Sequence, residues 1–332
     1  MEREALAERR AIEMLKRHQR EVSVAIAIGA LALVLAFVAP GYFTAENLGD
    51  LFLANAPVLV VALGATLVMI AGEIDISVGS VFAIAGVVAG VTSKLGMPIA
   101  VAALAACATG ALLGGLNGVL VAYLRIPSIV VTLSTMVALR DGLRWSTQGA
   151  WIENLPRSFQ WLGLTQGSYP WVMFAGVAGL TIVMAWTLGH LAAGRAIYAT
   201  GSNADAARLA GLDAALVKAS VFIAAGTLTG LAALLNSVRF NQIPSNAGLG
   251  LEMKVIASVV VGGTAITGGR GTIAGTVLGL VLLAAIGPAL TFLGVSAYWE
   301  RALQGAIILI GVAIDAIRAR RKKDVRALAM SV

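Results

Sequence analysis

Long runs without a charge leave this chain few folds. Many windows hold about 17 or more residues with no Asp, Glu, Lys or Arg, the length a helix needs to cross ~30 Å of hydrocarbon. Inside lipid no water pairs with the backbone, so each run has to close its hydrogen bonds within a helix. Ten segments fit: 22–39, 51–71, 78–93, 98–122, 128–143, 170–190, 218–238, 254–267, 272–293 and 302–317. The expected fold is an all-α polytopic membrane protein of about ten transmembrane helices. Segment 254–267 is short and glycine-rich, which leaves a half-helix or re-entrant element open beside a full crossing. Only 12% of the 332 residues are charged, about half the share in soluble chains. The 38 glycines suit helices that pack closely in lipid.

A net charge of +7 would suggest a nucleic-acid partner in a soluble protein. Here the basic residues segregate by loop instead. With the N-terminus inside, the inner segments would be 1–21, 72–77, 123–127, 191–217, 268–271 and 318–332, and they hold 17 of the 24 Lys and Arg residues, counting Lys218 at the border. Basic loops stay on the cytoplasmic side. Both termini are therefore expected in the cytoplasm, and no nucleic acid is expected. Residues 1–21 carry both signs of charge and read as a cytoplasmic amphipathic segment rather than a signal peptide. Residues 22–317 are expected to form the transmembrane domain, and 318–332 a basic cytoplasmic tail. The longest outer loop, 144–169, carries Trp145, Trp151 and Trp161. That suits an interfacial aromatic belt, or a stacking surface for a sugar or a partner. The lone cysteine, Cys107, lies in an Ala-rich run and reads as a packing residue.

One polar, glycine-bounded stretch interrupts the membrane pattern, from Gly194 to Gly211. Ser202 is placed as a helix cap with Asp205 three residues on, as in a capping box, and Gly211 as the stop. The implied helix, roughly Asn203 to Ala210, carries apolar Ala206, Ala207, Leu209 and Ala210. A loop that only joined two spans would need neither a cap nor an apolar face. A small surface helix is a docking element for a partner with a groove. The chain itself carries no energy-converting site. His18 and His190 lie far apart, G-x-S-x-G and H-E-x-x-H are absent, and no run of acids and bases forms a proton relay. No catalytic residue, metal or cofactor is expected.

Two further stretches break the helices. Gly72-Glu73-Ile74-Asp75-Ile76-Ser77-Val78-Gly79-Ser80 sets two carboxylates between apolar runs. Acids near lipid cost ~2.5–3.5 kcal/mol each on insertion scales, so they face protein or water. Either this is a discontinuous element beside a transport path, or it is a tight inner turn whose acids face cytoplasmic water. Val261 to Thr272 is glycine-rich but lacks the Lys-[ST] of a P-loop and follows no strand. It reads as a tight inner turn between packed helices, and its order of span, glycine turn and span loosely echoes 61–90. Polar residues within spans (Asn55, Thr66, Asn117, Ser128, Thr132, Ser134, Thr135, Asn236) are expected mostly to bond neighbouring helices. Asn117 is the best candidate for a solute contact, because Gly114, Gly115 and Gly118 let another group approach.

Four blocks together resemble the permease subunit of bacterial ATP-binding-cassette importers for monosaccharides, the group with the ribose, xylose, arabinose, rhamnose and autoinducer-2 systems. The first is Asp75-Ile76-Ser77-Val78-Gly79-Ser80. The second is Asn117-Gly118 followed by Pro127-Ser128-Ile129-Val130-Val131-Thr132-Leu133. The third runs from Gly194-Arg195 through Gly211. The fourth is Gly250-Leu251-Glu252-Met253 with Val261-Gly262-Gly263 to Gly275-Thr276. The resemblance covers about residues 40–317.

It implies a vitamin-B12-permease-like (type II importer) architecture in the bacterial inner membrane. It also implies a dimer with an identical or sister permease, an ATPase subunit or duplicated-cassette ATPase below, and an external, periplasmic sugar-binding protein above. Under it, 191–217 becomes the coupling loop, with Gly194, Arg195, Gly201, Ser202, Asn203, Asp205, Ala206, Leu209 and Gly211 as ATPase-coupling residues. Glu252 joins Glu73, Asp75, Ser77 and Asn117 as candidates for the substrate path. Trp151-Ile152-Glu153-Asn154-Leu155-Pro156 and Asn241-Gln242-Ile243-Pro244 look closer to the rhamnose and autoinducer-2 branch than to ribose, and Glu73 stands where relatives generally carry Gly. The expected function is the membrane subunit of a sugar importer that hydrolyses no ATP itself. The alternatives are a branched-chain amino-acid permease of the same architecture and an ion-coupled secondary carrier.

Overall fold

The computed structural model describes residues 19–296, 298–306 and 309–310. Most of the expected 1–21 segment, the 318–332 tail and the far part of span 302–317 lie outside the described residues. Eleven α-helices have both ends among the described residues: α1 Gln19–Val38, α2 Ala45–Ile70, α3 Val78–Lys94, α4 Ile99–Ala122, α5 Ser128–Thr147, α6 Tyr169–His190, α7 Ala192–Ser202, α8 Ala204–Leu209, α9 Ala214–Ser237, α10 Leu251–Val261 and α11 Ile273–Phe292; residues 299–306 and 309–310 are helical as well. Each expected span from 22–39 to 272–293 has a helix over it.

Six helices are long and apolar enough to cross a bilayer: α1, α2, α4, α6, α9 and α11. The protein is a polytopic membrane protein. Phe37 and Leu112 stand 82% and 74% exposed, which suits contact with lipid rather than water. The other three elements over expected spans differ from full apolar crossings for separate reasons. α3 is apolar but only 17 residues long. α5 carries Arg140, Asp141 and Arg144 in its second half. α10 has 11 residues, and at 1.5 Å of rise per residue it reaches only about 16 Å. The expected element 254–267 is thus a half-helix that starts at Leu251, stops at Val261 and gives way to a glycine turn.

α2 is the central element. From Val60 to Ala71 every residue is buried, enclosed by α9, α10, α11 and α6. Pro57 sits inside it, and a proline removes the N–H that would have bonded the carbonyl four residues back. That carbonyl, on Leu53, accepts instead from Arg239 Nη1 at 2.7 Å. The tightest helix pair is α4 against α9. Gly110 and Gly114 of α4 meet Gly226 of α9, and Gly118 meets Ala219. A Cβ on Gly110 would lie 2.0 Å from the Gly226 carbonyl oxygen, so nothing larger than hydrogen fits. Cys107 packs beside Gly230 on the same seam.

The two ends of the bundle differ. At the upper end, the 148–168 loop folds onto the segment after α9. Ile152 and Ile243 exchange backbone hydrogen bonds of 3.0 and 2.9 Å, and Trp161 N donates to Val238 O at 2.7 Å. Trp145 and Trp171 point outward as an aromatic belt requires, whereas Trp161 turns in, edge-on to Tyr169 at 5.3 Å between ring centroids. The lower end carries α7 and α8.

Candidate functional site

The lower site begins where α6 ends. Leu191 is extended, and α7 folds back so sharply that a Cβ on Gly194 would lie 2.3 Å from Leu188 O. Arg195 Nη1 donates to His190 O at 3.1 Å, covering a carbonyl left open at the end of α6. An eleven-residue helix here was not expected from sequence, which placed one short helix in a loop. α7 buries Gly194, Ile197 and Thr200. Tyr198 donates its hydroxyl to Gly271 O at 2.7 Å, and burial pushes the phenol pKa up, so it stays a donor.

The cap of the second helix is Asn203, not Ser202. Ser202 completes the last turn of α7, whereas Asn203 has extended backbone (φ −163°, ψ 103°) and its Oδ1 accepts from Asp205 N and Ala206 N, both at 3.0 Å. The helix runs Ala204–Leu209 rather than 203–210. Gly211 is the stop, at φ +85°. Its N–H bonds Arg208 O at 2.9 Å, and Leu212 N bonds Ala207 O at 3.0 Å, the crossed pair of a Schellman ending. Asp205 pairs with Arg208 on the exposed surface, where such pairs contribute little. Ala207 is buried, while Ala206, Leu209 and Ala210 face outward, Leu209 at 91% exposure.

The three polar breaks found separately in the sequence meet here. A Cβ on Gly201 would lie 1.7 Å from Ile70 O and 2.8 Å from Gly269 N. Gly269 N itself donates to Ile70 O at 2.8 Å. A Cβ on Gly268 would lie 2.6 Å from Gly72 Cα and 2.7 Å from Gly201 O. The end of α7, the connector after α2 and the turn after α10 are thus in backbone-to-backbone contact.

The connector 71–77 turns at Ala71-Gly72 and again at Ser77, with 73–76 irregular between, and its acids are buried. That removes the reading in which they face water. Glu73 forms an ion pair with Lys218 of α9, their side chains 11% and 24% exposed. Asp75 Oδ1 accepts from Ser77 N at 2.8 Å and Ser77 Oγ at 2.6 Å. Asn117 Nδ2 donates to Ser77 Oγ at 2.8 Å. Ile74 N donates to Ser128 Oγ at 3.2 Å. Three of the five path candidates therefore form one hydrogen-bond chain, in which Asn117 donates to Ser77 and Ser77 to Asp75. Glu73 turns away from it to Lys218. The small neighbours of Asn117 admit α9 backbone, as the Gly114 and Gly118 contacts show.

Glu252 stands apart from that chain. It opens α10, and a Cβ on Gly79 would lie 2.4 Å from its Oε2 and 2.5 Å from Gly248 O. Arg140 Nη1 donates to Ala247 O at 2.7 Å and its charge acts on Glu252. Lys218, Tyr198 and Arg140 were not among the sequence candidates. Their partners lie 145, 73 and 107 residues away, beyond any local pattern.

Comparison with known proteins adds to this geometry. Residues 47–312 match the family described as branched-chain amino acid transport system / permease component. The autoinducer 2 import system permease protein LsrC of Enterobacter sp. (strain 638) is 37% identical over 315 residues, covering 94% of this chain and 91% of the relative. LsrC of Salmonella typhimurium (strain LT2) is 38% identical over 300 residues, covering 87% and 84%. LsrC of Escherichia coli (strain K12) is 38% identical over 295 residues, covering 86% and 85%. No solved structure gives a significant match.

Proposed function

The chain belongs to the branched-chain amino acid transport system / permease component family, and from that premise we propose that it imports a monosaccharide or sugar-like solute, of the rhamnose or autoinducer-2 type. It is the permease subunit of an ATP-binding-cassette importer, not a catalytic subunit. In our reading it is a ten-span, type II-like permease of the bacterial inner membrane with both termini in the cytoplasm. It works as a dimer with an identical or sister chain. An ATPase subunit or duplicated-cassette ATPase sits below, and a periplasmic solute receptor above. The lower end, with α7 and α8, faces the cytoplasm.

ATP binding closes the two ATPase domains and carries α8 with them. The Gly201 contacts leave no slack between α7, the α2–α3 connector and the α10–α11 turn, so these elements move as one body. The path then opens outward, where the receptor releases its solute, and hydrolysis resets it. The permease is one bistable element biased from both sides. The observation that carries this reading is α8 itself, a capped helix with a fully formed stop and an outward Leu209 left exposed among the described residues.

Deleting 203–210, or combining Ala206→Asp with Leu209→Asp, is expected to abolish ATP-dependent uptake while membrane insertion stays intact. Full uptake by that variant would remove the coupling role. The family description favours a second reading, a branched-chain amino-acid permease. Titrating the solute receptor encoded beside the gene with L-rhamnose and L-leucine separates the two. Solute accumulation by vesicles holding this subunit alone, under an ion gradient and without nucleotide, would sink both in favour of a secondary carrier.

A further inference from the structure

We propose that the cleft at the start of α10 holds the solute during transit and is built for a neutral, hydroxyl-rich molecule; this rests on the importer reading above. A cavity of about 940 Å³ opens there, lined by Glu252, Lys254, Tyr298, Glu300, Arg301 and Gln304. Small-molecule sites occupy roughly 300–1,000 Å³. α10 begins beside Gly79, near the start of α3, and runs to the lower junction. The cleft therefore opens between the start of this half-helix and the stretch after α11 that holds Ser296 to Gly305. Ionisable side chains inside a membrane domain are costly and mark solute pathways.

The chemistry of the lining selects the solute class. Lys254 Nζ and Glu300 Oε1 stand 3.7 Å apart, an ion pair too long for a good hydrogen bond. A hydroxyl can enter there, donating to the carboxylate and accepting from the ammonium. Gln304 Nε2 donates to Glu300 Oε1 at 3.0 Å, which fixes the carboxylate. Gly287 of α11 makes room for it, since a Cβ there would lie 2.5 Å from Glu300 Oε2. Two acids, Glu252 and Glu300, face two bases, Lys254 and Arg301, so the lining is balanced and gives an ion no net attraction. Tyr298 stands exposed at the rim and offers an aromatic face to a sugar ring. An amino-acid zwitterion would match the charges too, with Leu249, Leu251 and Met253 of the same lining beneath its aliphatic side chain, so L-leucine is the competitor to exclude.

The test uses the assembled importer in vesicles, with Met253→Cys in a Cys107→Ser background, since Met253 lines the cleft and is exposed whereas Gln304 is buried. The new thiol is expected to react with a membrane-impermeant methanethiosulfonate reagent. L-rhamnose, D-ribose or synthetic autoinducer-2, tested as a panel, is expected to slow the reaction about tenfold. No reaction, as when a second copy of the chain fills the cleft, overturns the proposal. So does protection by L-leucine alone. Glu300→Gln and Lys254→Met are expected to raise the KM for uptake about tenfold; an unchanged KM overturns the proposal. If the unsubstituted importer takes up none of the panel with ATP, the sugar reading of the importer fails, and the labelling still decides the cleft. If it imports and the thiol ignores every solute, the cleft fails alone.

Discussion

Gly201 shows how one residue can hold a mechanism. Its α-hydrogen side faces Ile70 O so closely that a Cβ would sit 1.7 Å from it, and that oxygen already accepts from Gly269 N. Backbone cannot yield as the tip of a flexible side chain can, so a methyl there must separate α7 from both turns. Overpacking of this kind typically costs about 1–3 kcal/mol, and here the strain falls on the contact between three elements. Gly201→Ala is therefore expected to cut ATP-dependent uptake at least tenfold while the protein still reaches the membrane. Gly189→Ala, whose Cβ would meet nothing within 4 Å, serves as the control. Uptake assays on the pair decide it, and equal rates would show that the junction tolerates slack. In the sequence Gly201 stood only among the ATPase-coupling residues that the resemblance implied. What makes glycine obligatory there is backbone more than 60 residues away on either side, and no local pattern carries that. Glu73 tells the same story. Its cost beside lipid was readable, but Lys218 as its partner was not, because α9 lies 145 residues on.

At the scale of elements, α8 is set by its ends. Its six residues are too few to hold a helix by propensity, so the cap and the stop decide whether it forms. Asn203→Ala removes the two hydrogen bonds to Asp205 N and Ala206 N, a loss of about 1 kcal/mol for a cap. Because α8 stands at the surface, that loss is expected to fray α8 alone. Uptake should fall several-fold with the thermal midpoint of the whole permease unchanged, and Asn203→Asp should restore it. A shifted midpoint with unchanged uptake would mean that α8 serves folding instead. The stop at Gly211 was legible in sequence because a left-handed residue after a short helix calls for glycine. The start was misplaced by one residue, since Ser202 and Asn203 are both good caps and only the extended backbone of Asn203 distinguishes them. The half-helix α10 was legible as short and glycine-rich. Its limits were not, because Glu252 and Lys254 interrupt the apolar pattern over the first turn of the helix while 262–267 lose their helix to the turn.

At the scale of the whole molecule, α10 is a strap between the two ends. Its upstream segment is held at Ile243 by Ile152, passes Gly79 at Gly248, and its downstream turn is held at Gly269 by Ile70. A motion that starts at the lower junction therefore has a continuous route to the upper loop, past the cleft. The spans themselves were legible in sequence because lipid imposes one rule on every run. This route was not, because it is made of irregular backbone between helices. It can be tested by pinning the upper end. Ile152 and Ile243 exchange both backbone hydrogen bonds, which puts their Cα atoms about 5.5 Å apart, within reach of a disulfide. In a Cys107→Ser background, oxidised Ile152→Cys with Ile243→Cys is expected to lower uptake at least tenfold while ATP hydrolysis continues, and reductant should restore it. The reduced double variant controls for the buried volume lost at Ile243, which would otherwise lower stability on its own. If the oxidised form transports as fast as the reduced one, the upper loop does not move with α10, and the opening must occur below it.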